Sequence, residues 1–426
     1  MNEIVILPIS ISFFLTILLI IEKNRLNKII TPFSVATFPF LIIILINNLI
    51  LIHLDFPAIT SRAQFFILSQ LIVLWIIGYI ISNFFNREKL SEYNVYGFIK
   101  EQFKRYDIIL IIISWISIFV ISRRIMNLFS ENGGLMYFGN PEYEEKLSQG
   151  LAAHFVHIGQ VCFLFLIFIF KNSNHKKLIL LTLFGLFVII SAIQVKYHIL
   201  WLVLMTFYFI ISDKPPKRQI LILGFAALTM LLVFNLFWIA ISLTVPDFFK
   251  TSEDIFLYLV KQTANYLFTG PILLDHWMGH SNVKPDWTLI IVLKNLVNVI
   301  NGNPLRYEHV PLLNLGFEKI TGNIYSNVGT AYGVYYLIGG FIFTFAMTIL
   351  TSIIYYFTFF YSYMSQRFDI LFFNLFFLTL ATLTFFVQFF TSLATYELIV
   401  IFLLFGTTFK FINLIIDKIS IEVKST

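Results

Sequence analysis

Lys319–Gly340 reads KITGNIYSNVGTAYGVYYLIGG, and the run it feeds continues as FIFTFAMTILTSIIYY over residues 341–356. No charged residue follows Lys319 until Arg367. About 20 apolar residues suffice for a helix to cross the hydrocarbon core of a bilayer. The stretch therefore reads as a polar segment entering a membrane span, expected over residues 329–357. Its composition is odd for such a boundary: four Tyr, two Asn, a Ser and two Thr stand in it. Hydroxyls and amides are costly at that depth only if they face lipid; facing a cavity, they can bind a polar ligand. An interfacial tyrosine belt accounts for the tyrosines. It leaves Asn323, Ser326 and Asn327 beside them without a reason.

The rest of the chain carries the same signal. Of 426 residues, 58% are hydrophobic and 12% charged, and the mean hydropathy is +0.85. Soluble domains carry roughly 25% charged residues, so the chain is expected to be an all-α polytopic membrane protein. Eleven spans are expected, over residues 3–21, 33–52, 65–82, 107–122, 151–170, 178–193, 197–212, 219–245, 329–357, 369–390 and 394–413. Met1–Ile21 lacks a basic leader and a small-residue cleavage site, so it reads as a retained span. The organisation is then an N-terminal bundle of about eight helices (1–245), a large loop (246–328) and about three C-terminal helices (329–426).

Basic residues divide unevenly between alternate loops. One set, with the tail, holds 18; the short loops of the other hold only Arg62, Arg123, Arg124, Lys146 and Lys196. Cytoplasmic loops collect Lys and Arg, which places the N-terminus outside, the C-terminus in the cytoplasm and the 246–328 loop outside. Within that loop, Thr251–Asp254 resembles a capping box before IFLYLVKQTANYLF, and Asp286 is placed to cap WTLIIVLKNLVNVI. Both runs read as helices lying along the outer leaflet. The net charge of +6 follows the loop asymmetry and is no sign of nucleic-acid binding.

The span interiors are nearly free of charge; Glu397, His154 and His157 lie near outer ends. Coupled transporters usually carry ionisable residues inside the membrane. The cations gather outside instead, as Arg123-Arg124, Lys196 in the short turn QVKYH, and Lys261 and Arg306 in the loop. An Arg fork suits phosphate oxygens, whereas snorkelling to lipid headgroups is the plainer reading of the same residues. Glu308, His309 and Asp275 are candidate acids or bases. His276 and His280 stand four apart with no third metal ligand, and the single cysteine, Cys162, lies in a span. No metal, nucleotide motif or cofactor is indicated.

Three stretches resemble the Wzy-type polymerases, the oligosaccharide repeat unit polymerases of O-antigen, lipopolysaccharide and capsule synthesis. NYLFTGPILLDHW (265–277) is similar to the Tyr…Gly-Pro segment opening the family's large outer loop. QVKYHILWLVLMTFYFI (194–210) is similar to its short outer turn, with Lys196 where the family usually has Arg. GNIYSNVGTAYGVYYLIGG resembles the family's Asn-x-Tyr/Phe-Thr/Ser segment through Asn323, Tyr325, Ser326, Tyr332 and Gly339; Val334-Tyr335-Tyr336 replaces an Asp-Phe-Gly common there.

The resemblance implies a GT-C-like fold in the bacterial cytoplasmic membrane. It implies an undecaprenyl-pyrophosphate-linked oligosaccharide as substrate, with a chain-length regulator and a flippase as partners. A glycan would move by its reducing end from the pyrophosphate onto the non-reducing sugar of the next lipid-linked unit. Arg123, Arg124, Lys196 and Arg306 would hold the pyrophosphate, and Asn323, Tyr325, Ser326, Tyr332, Tyr266 and Lys261 would line the sugar path. A ligase with another acceptor, and a flippase for the same lipid, are the alternatives.

Overall fold

The computed structural model describes residues 2–85, 106–134, 137, 141–147, 150–193, 196–212, 214–244, 255–280, 297–298, 300–302, 318–321, 324–326, 329–365, 367–386 and 393–425. The chain divides into two compact units, one of Met1–Tyr93, Asp254–Ser365 and Phe373–Leu393, the other of Asn94–Glu253, Gln366–Phe372 and Ala394–Thr426. The three consecutive segments expected from the sequence are interleaved in these units. Eight helices among the described residues are long and apolar enough to cross a membrane. The architecture is that of a helical polytopic membrane protein.

The first unit contains α1 (Asn2–Leu26), α2 (Pro32–Leu49), α3 (Ser61–Ile81), α10 (Ile255–Leu267), α11 (Thr269–His280) and α12 (Ala331–Ser365). The second holds α4 (Asp107–Glu131), α5 (Pro141–Leu147), α6 (Leu151–Phe170), α7 (Lys176–Ser191), α8 (Lys196–Ile211), α9 (Pro216–Thr244) and most of α14 (Leu393–Ser425). Helix α13 (Phe368–Thr382) contributes residues to both. Each of the eleven expected spans overlaps a helix, but α7 and α8 have only 16 residues each, and the eight helices of membrane length among the described residues match eight of the expected spans.

Apolar surface gives no drive for helices to associate in lipid, so packing and internal hydrogen bonds must supply it. In the first unit α2 starts at a capping box: Thr31 Oγ1 accepts from Ser34 N, and Ser34 Oγ accepts from Thr31 N. Thr31 Oγ1 also donates to Glu22 Oε2 at 2.9 Å, and Tyr356 Oη donates to Glu22 Oε1 at 2.5 Å. That buried triad joins α1, α2 and α12. Farther along, Thr348 Oγ1 donates to Gln70 Oε1 at 2.7 Å, tying α12 to α3. Helix α12 breaks at Gly339-Gly340, and Gly340 has φ 70° and ψ −160°, a region essentially reserved for glycine. Thr344 Oγ1 donates back to the Gly340 carbonyl, four residues earlier, at 2.9 Å.

The second unit is packed with phenylalanine. Phe165 stacks on Phe402 with centroids 5.3 Å apart and meets Phe409 edge-on at 5.8 Å. A second cluster, Ile121, Ile125, Leu128, Tyr143, Leu147, Val156 and Ile193, joins the C-terminal end of α4 to α5, the start of α6 and the turn after α7.

One departure from the all-α expectation is a small hairpin, β1 (Glu318–Thr321) against β2 (Ile324–Ser326), paired antiparallel. Residues 319–321 and 324–326 of the opening stretch are thus strand and not loop. Its reason is in the sequence: Gly322-Asn323 separates two short runs containing β-branched residues, a hairpin signature. Most of the second amphipathic run, 287–300, lies outside the described residues.

Candidate functional site

In the first unit, the Gly-Pro stretch and the stretch quoted first pack on each other. Helices α10 and α11 are separated by a break at Phe268, whose carbonyl accepts from Asn47 Nδ2 at 2.9 Å. Thr269 Oγ1 donates to Ser326 Oγ at 2.9 Å, fastening the hairpin to α11. Gly270 lies so near Phe385 that a Cβ there would come 2.5 Å from its carbonyl oxygen. The Trp277 ring covers Gly329 and Gly333, where a Cβ on Gly333 would be 3.1 Å from it. Thr330 then starts α12, its Oγ1 accepting from Gly333 N at 2.9 Å.

Asp275, expected as an acid or base, has another employment here. Its Oδ2 accepts from Thr60 N at 2.8 Å and its Oδ1 from Thr60 Oγ1 at 2.6 Å, with Arg62 Nη2 3.9 Å away. Thr60 is the cap residue of α3. A carboxylate at a helix N-terminus satisfies orphan N–H groups and suits the helix dipole, so Asp275 ties α11 to α3. Tyr332 is buried and stacks on Phe40 with centroids 5.5 Å apart. With Tyr335, Tyr355, Thr348, Thr351, Ser352 and Thr384 it lines a cavity of about 10 Å³, measured to the centre of a water-sized sphere. That is room for about one water, not a pyranose.

In the second unit, the ends of α4, α6, α8 and α14 bring together a different set. Glu397, in the first turns of α14, lies between two histidines of α6: its Oε1 is 2.6 Å from His154 Nδ1 and its Oε2 2.9 Å from His157 Nδ1. The first is a well-formed hydrogen bond; the second is within ion-pair range but off the hydrogen-bond axis. An ionised carboxylate only accepts, so His154 Nδ1 carries the proton in that bond. His198 of α8 lies next, its ring 5.5 Å from that of His157. Gln160 Nε2 is 2.9 Å from His198 Nδ1 and 3.4 Å from its carbonyl oxygen. The carbonyl can only accept, so the amide presents N–H to both, and His198 carries its proton on Nε2. The imidazole of His154 is 60% exposed, whereas that of His157 is 8% exposed.

The same end carries the arginine pair. Arg123 is exposed and Arg124 half-buried; Arg124 Nη2 donates to the Lys146 carbonyl at 3.3 Å. Helix α5 is held against this end by Tyr143, whose hydroxyl donates to the Ala192 carbonyl at 2.9 Å. Burial pushes the Tyr143 phenol well above its ordinary pKa. Lys146 pairs with Glu142 at 3.3 Å. Lys196 opens α8.

Of the remaining expected site residues, Arg306, Glu308, His309 and Asn323 lie outside the described residues. Ser326 is buried, Tyr325 sits in β2, and Lys261 and Tyr266 are half-buried on α10, with the Tyr266 ring 5.0 Å from Phe386. The histidine–carboxylate group was not among the expected site residues. Its signal was present as three ionisable residues at the ends of otherwise apolar runs, with His154 and His157 on one helical face. What the sequence could not show is that α14 returns its carboxylate, 243 residues from His154, to that face. Among the described residues, no group of three His, Cys, Asp or Glu is arranged to hold a metal ion.

Comparison with curated proteins and with solved structures finds no match. Residues 53–413 match DUF6337, a family of unknown function, and the chain belongs to that family.

Proposed function

We propose that the chain is a membrane glycosyltransferase that polymerises undecaprenyl-pyrophosphate-linked oligosaccharide repeat units at the outer face of the bacterial cytoplasmic membrane. The reading includes eleven spans, an N-terminus outside and a fold of the GT-C kind. The observation that carries it is the end of the second unit. There the exposed Arg123, the half-buried Arg124 and the Glu397–His154–His157 group stand on helices whose interiors are otherwise almost uncharged. Basic residues at an outer span end oppose the usual charge distribution, and a ligand with a pyrophosphate gives them a use.

The chemistry asks for little more. Cleaving the bond between sugar C1 and pyrophosphate needs the leaving group's charge neutralised and an acceptor hydroxyl held in line. Arg123 supplies the first. No sugar nucleotide takes part, so a phosphate-cradling glycine loop is not required. A flippase would need a polar path through the bilayer, and the nearly uncharged spans do not favour one.

Deletion in a host that makes the polymer tests the reading. A polymerase loss leaves single repeat units on the final acceptor. A ligase loss leaves none attached, and a flippase loss leaves lipid-linked units on the inner leaflet. Either of the latter two patterns overturns the assignment.

A further inference from the structure

We propose that Glu397, His154 and His157 form the proton-handling centre of this transferase, with His154 Nε2 as the atom that takes the acceptor hydroxyl's proton. This rests on the transferase reading above and assigns the base that the loop residues Glu308, His309 and Asp275 were expected to supply.

Geometry carries the assignment. Asp275 spends both carboxylate oxygens on Thr60. At the second unit's end, Glu397 Oε1 accepts from His154 Nδ1 at 2.6 Å. That bond fixes the tautomer, leaving Nε2 as the lone-pair nitrogen, and turns the ring so that Nε2 points away from the carboxylate. His154 is 60% exposed, so a hydroxyl can reach this nitrogen. Such a carboxylate-held imidazole is the arrangement by which histidine serves as a general base, the carboxylate stabilising the imidazolium that forms.

Glu397 is itself held. Its second oxygen lies 2.9 Å from the buried His157, and His157 is backed by His198 and the fully buried Gln160, whose Oε1 has no hydrogen-bond partner among the described residues. An ordinary exposed ion pair at a helix end contributes roughly 0–1 kcal/mol and needs no such backing. Two imidazoles and an amide behind one carboxylate amount to a built support for the single exposed ring.

The step balances as follows. The acceptor oxygen forms a bond to C1 of the donor sugar as its proton passes to His154 Nε2. The bond from C1 to the pyrophosphate oxygen breaks, and its electron pair leaves on undecaprenyl pyrophosphate. The imidazolium, neutralised by Glu397, then gives its proton to water. His154 is the catalytic residue; Glu397 and His157 are positioning residues. Among the described residues, the charged and titratable groups at this end are Glu397, His157 and His198, with Arg123, Arg124, Lys196, Glu142, Tyr143 and Lys146 on the neighbouring helices.

The test uses full-length protein in nanodiscs and a synthetic undecaprenyl-pyrophosphate repeat unit, with products resolved by size. His154→Gln and His154→Ala should lower kcat about 10²- to 10⁴-fold, leave KM within a factor of three or so, and keep the wild-type unfolding midpoint. Imidazole should restore part of the His154→Ala rate. Glu397→Gln should reduce kcat as well, with KM again nearly unchanged. On the native protein, inactivation by diethyl pyrocarbonate should track modification of His154, which covers variants that fail to fold.

A ladder made at the wild-type rate by His154→Gln overturns this inference alone, as does inactivation with His154 unmodified. Wild-type protein that never extends the repeat unit overturns the polymerase reading, and the role of His154 with it.

Discussion

Gly78 is where the packing of the first unit can be tested most sharply. A Cβ built at Gly78 on α3 would fall within the ring of Tyr356, 2.5 Å from its Oη and closer still to Cζ and Cε2. Tyr356 has no exposed surface and cannot swing aside, and its hydroxyl is a donor to the buried Glu22. Gly78→Ala therefore overpacks the α3–α12 contact and, by displacing the ring, strips a buried carboxyl of one partner. Overpacking costs about 1–3 kcal/mol, and an unsatisfied buried group about 1–3 kcal/mol more. Against that, alanine gains about 1 kcal/mol in helix propensity. The net expectation is a loss of roughly 1–5 kcal/mol, read as the shift in a reversible SDS-unfolding midpoint. Tyr356→Leu provides the control. It empties the space beside Gly78, so Gly78→Ala on that background should be neutral or mildly stabilising, and the double-mutant cycle should show strong coupling. If Gly78→Ala is neutral in the native background, the Tyr356 ring does not lie on Gly78 and the Glu22 triad is misplaced.

Other outcomes follow from the same structure. Gly340→Ala should cost about 1–3 kcal/mol, because alanine does not tolerate φ 70° with ψ −160°; Gly406→Ala, in open helix, should stabilise by up to about 1 kcal/mol in the same unfolding measurement. Asp275→Ala should lose about 0.5–2 kcal/mol as the cap on α3 disappears, and Asp275→Asn less, since Asn Oδ1 still accepts from Thr60 N. Equal losses would show that the cap is not its role. Arg123→Ala should reduce polymer synthesis by about 10²–10³ with normal amounts of protein in the membrane, measured as ladder intensity per molecule.

The fold was legible where physics is local. Runs of uncharged residues long enough for a bilayer give helices, and eight of the expected spans coincide with helices long and apolar enough to cross one. The break in α12 at Gly339-Gly340 and the β1–β2 hairpin were not expected, although glycine marks both places in the sequence. What could not be read is how distant ends meet. Asp275 looks like a free acid in the sequence, yet its oxygens are taken by Thr60, 215 positions earlier. Tyr332 looks like a sugar-facing residue, yet it stacks on Phe40 inside the first unit. Conversely, Glu397 looks like an isolated charge near a span end until α6 supplies two imidazoles to it. Local pattern fixes which residues are helical; pairing across more than 200 residues depends on helix packing, which no local pattern encodes.

Incubating the purified, membrane-embedded protein with synthetic undecaprenyl-pyrophosphate repeat units tests the central claim most directly. The account predicts a ladder of products, each one repeat longer than the last, with release of undecaprenyl pyrophosphate and without added metal or sugar nucleotide. Substrate that crosses the bilayer or joins another acceptor, but is never lengthened, would contradict it.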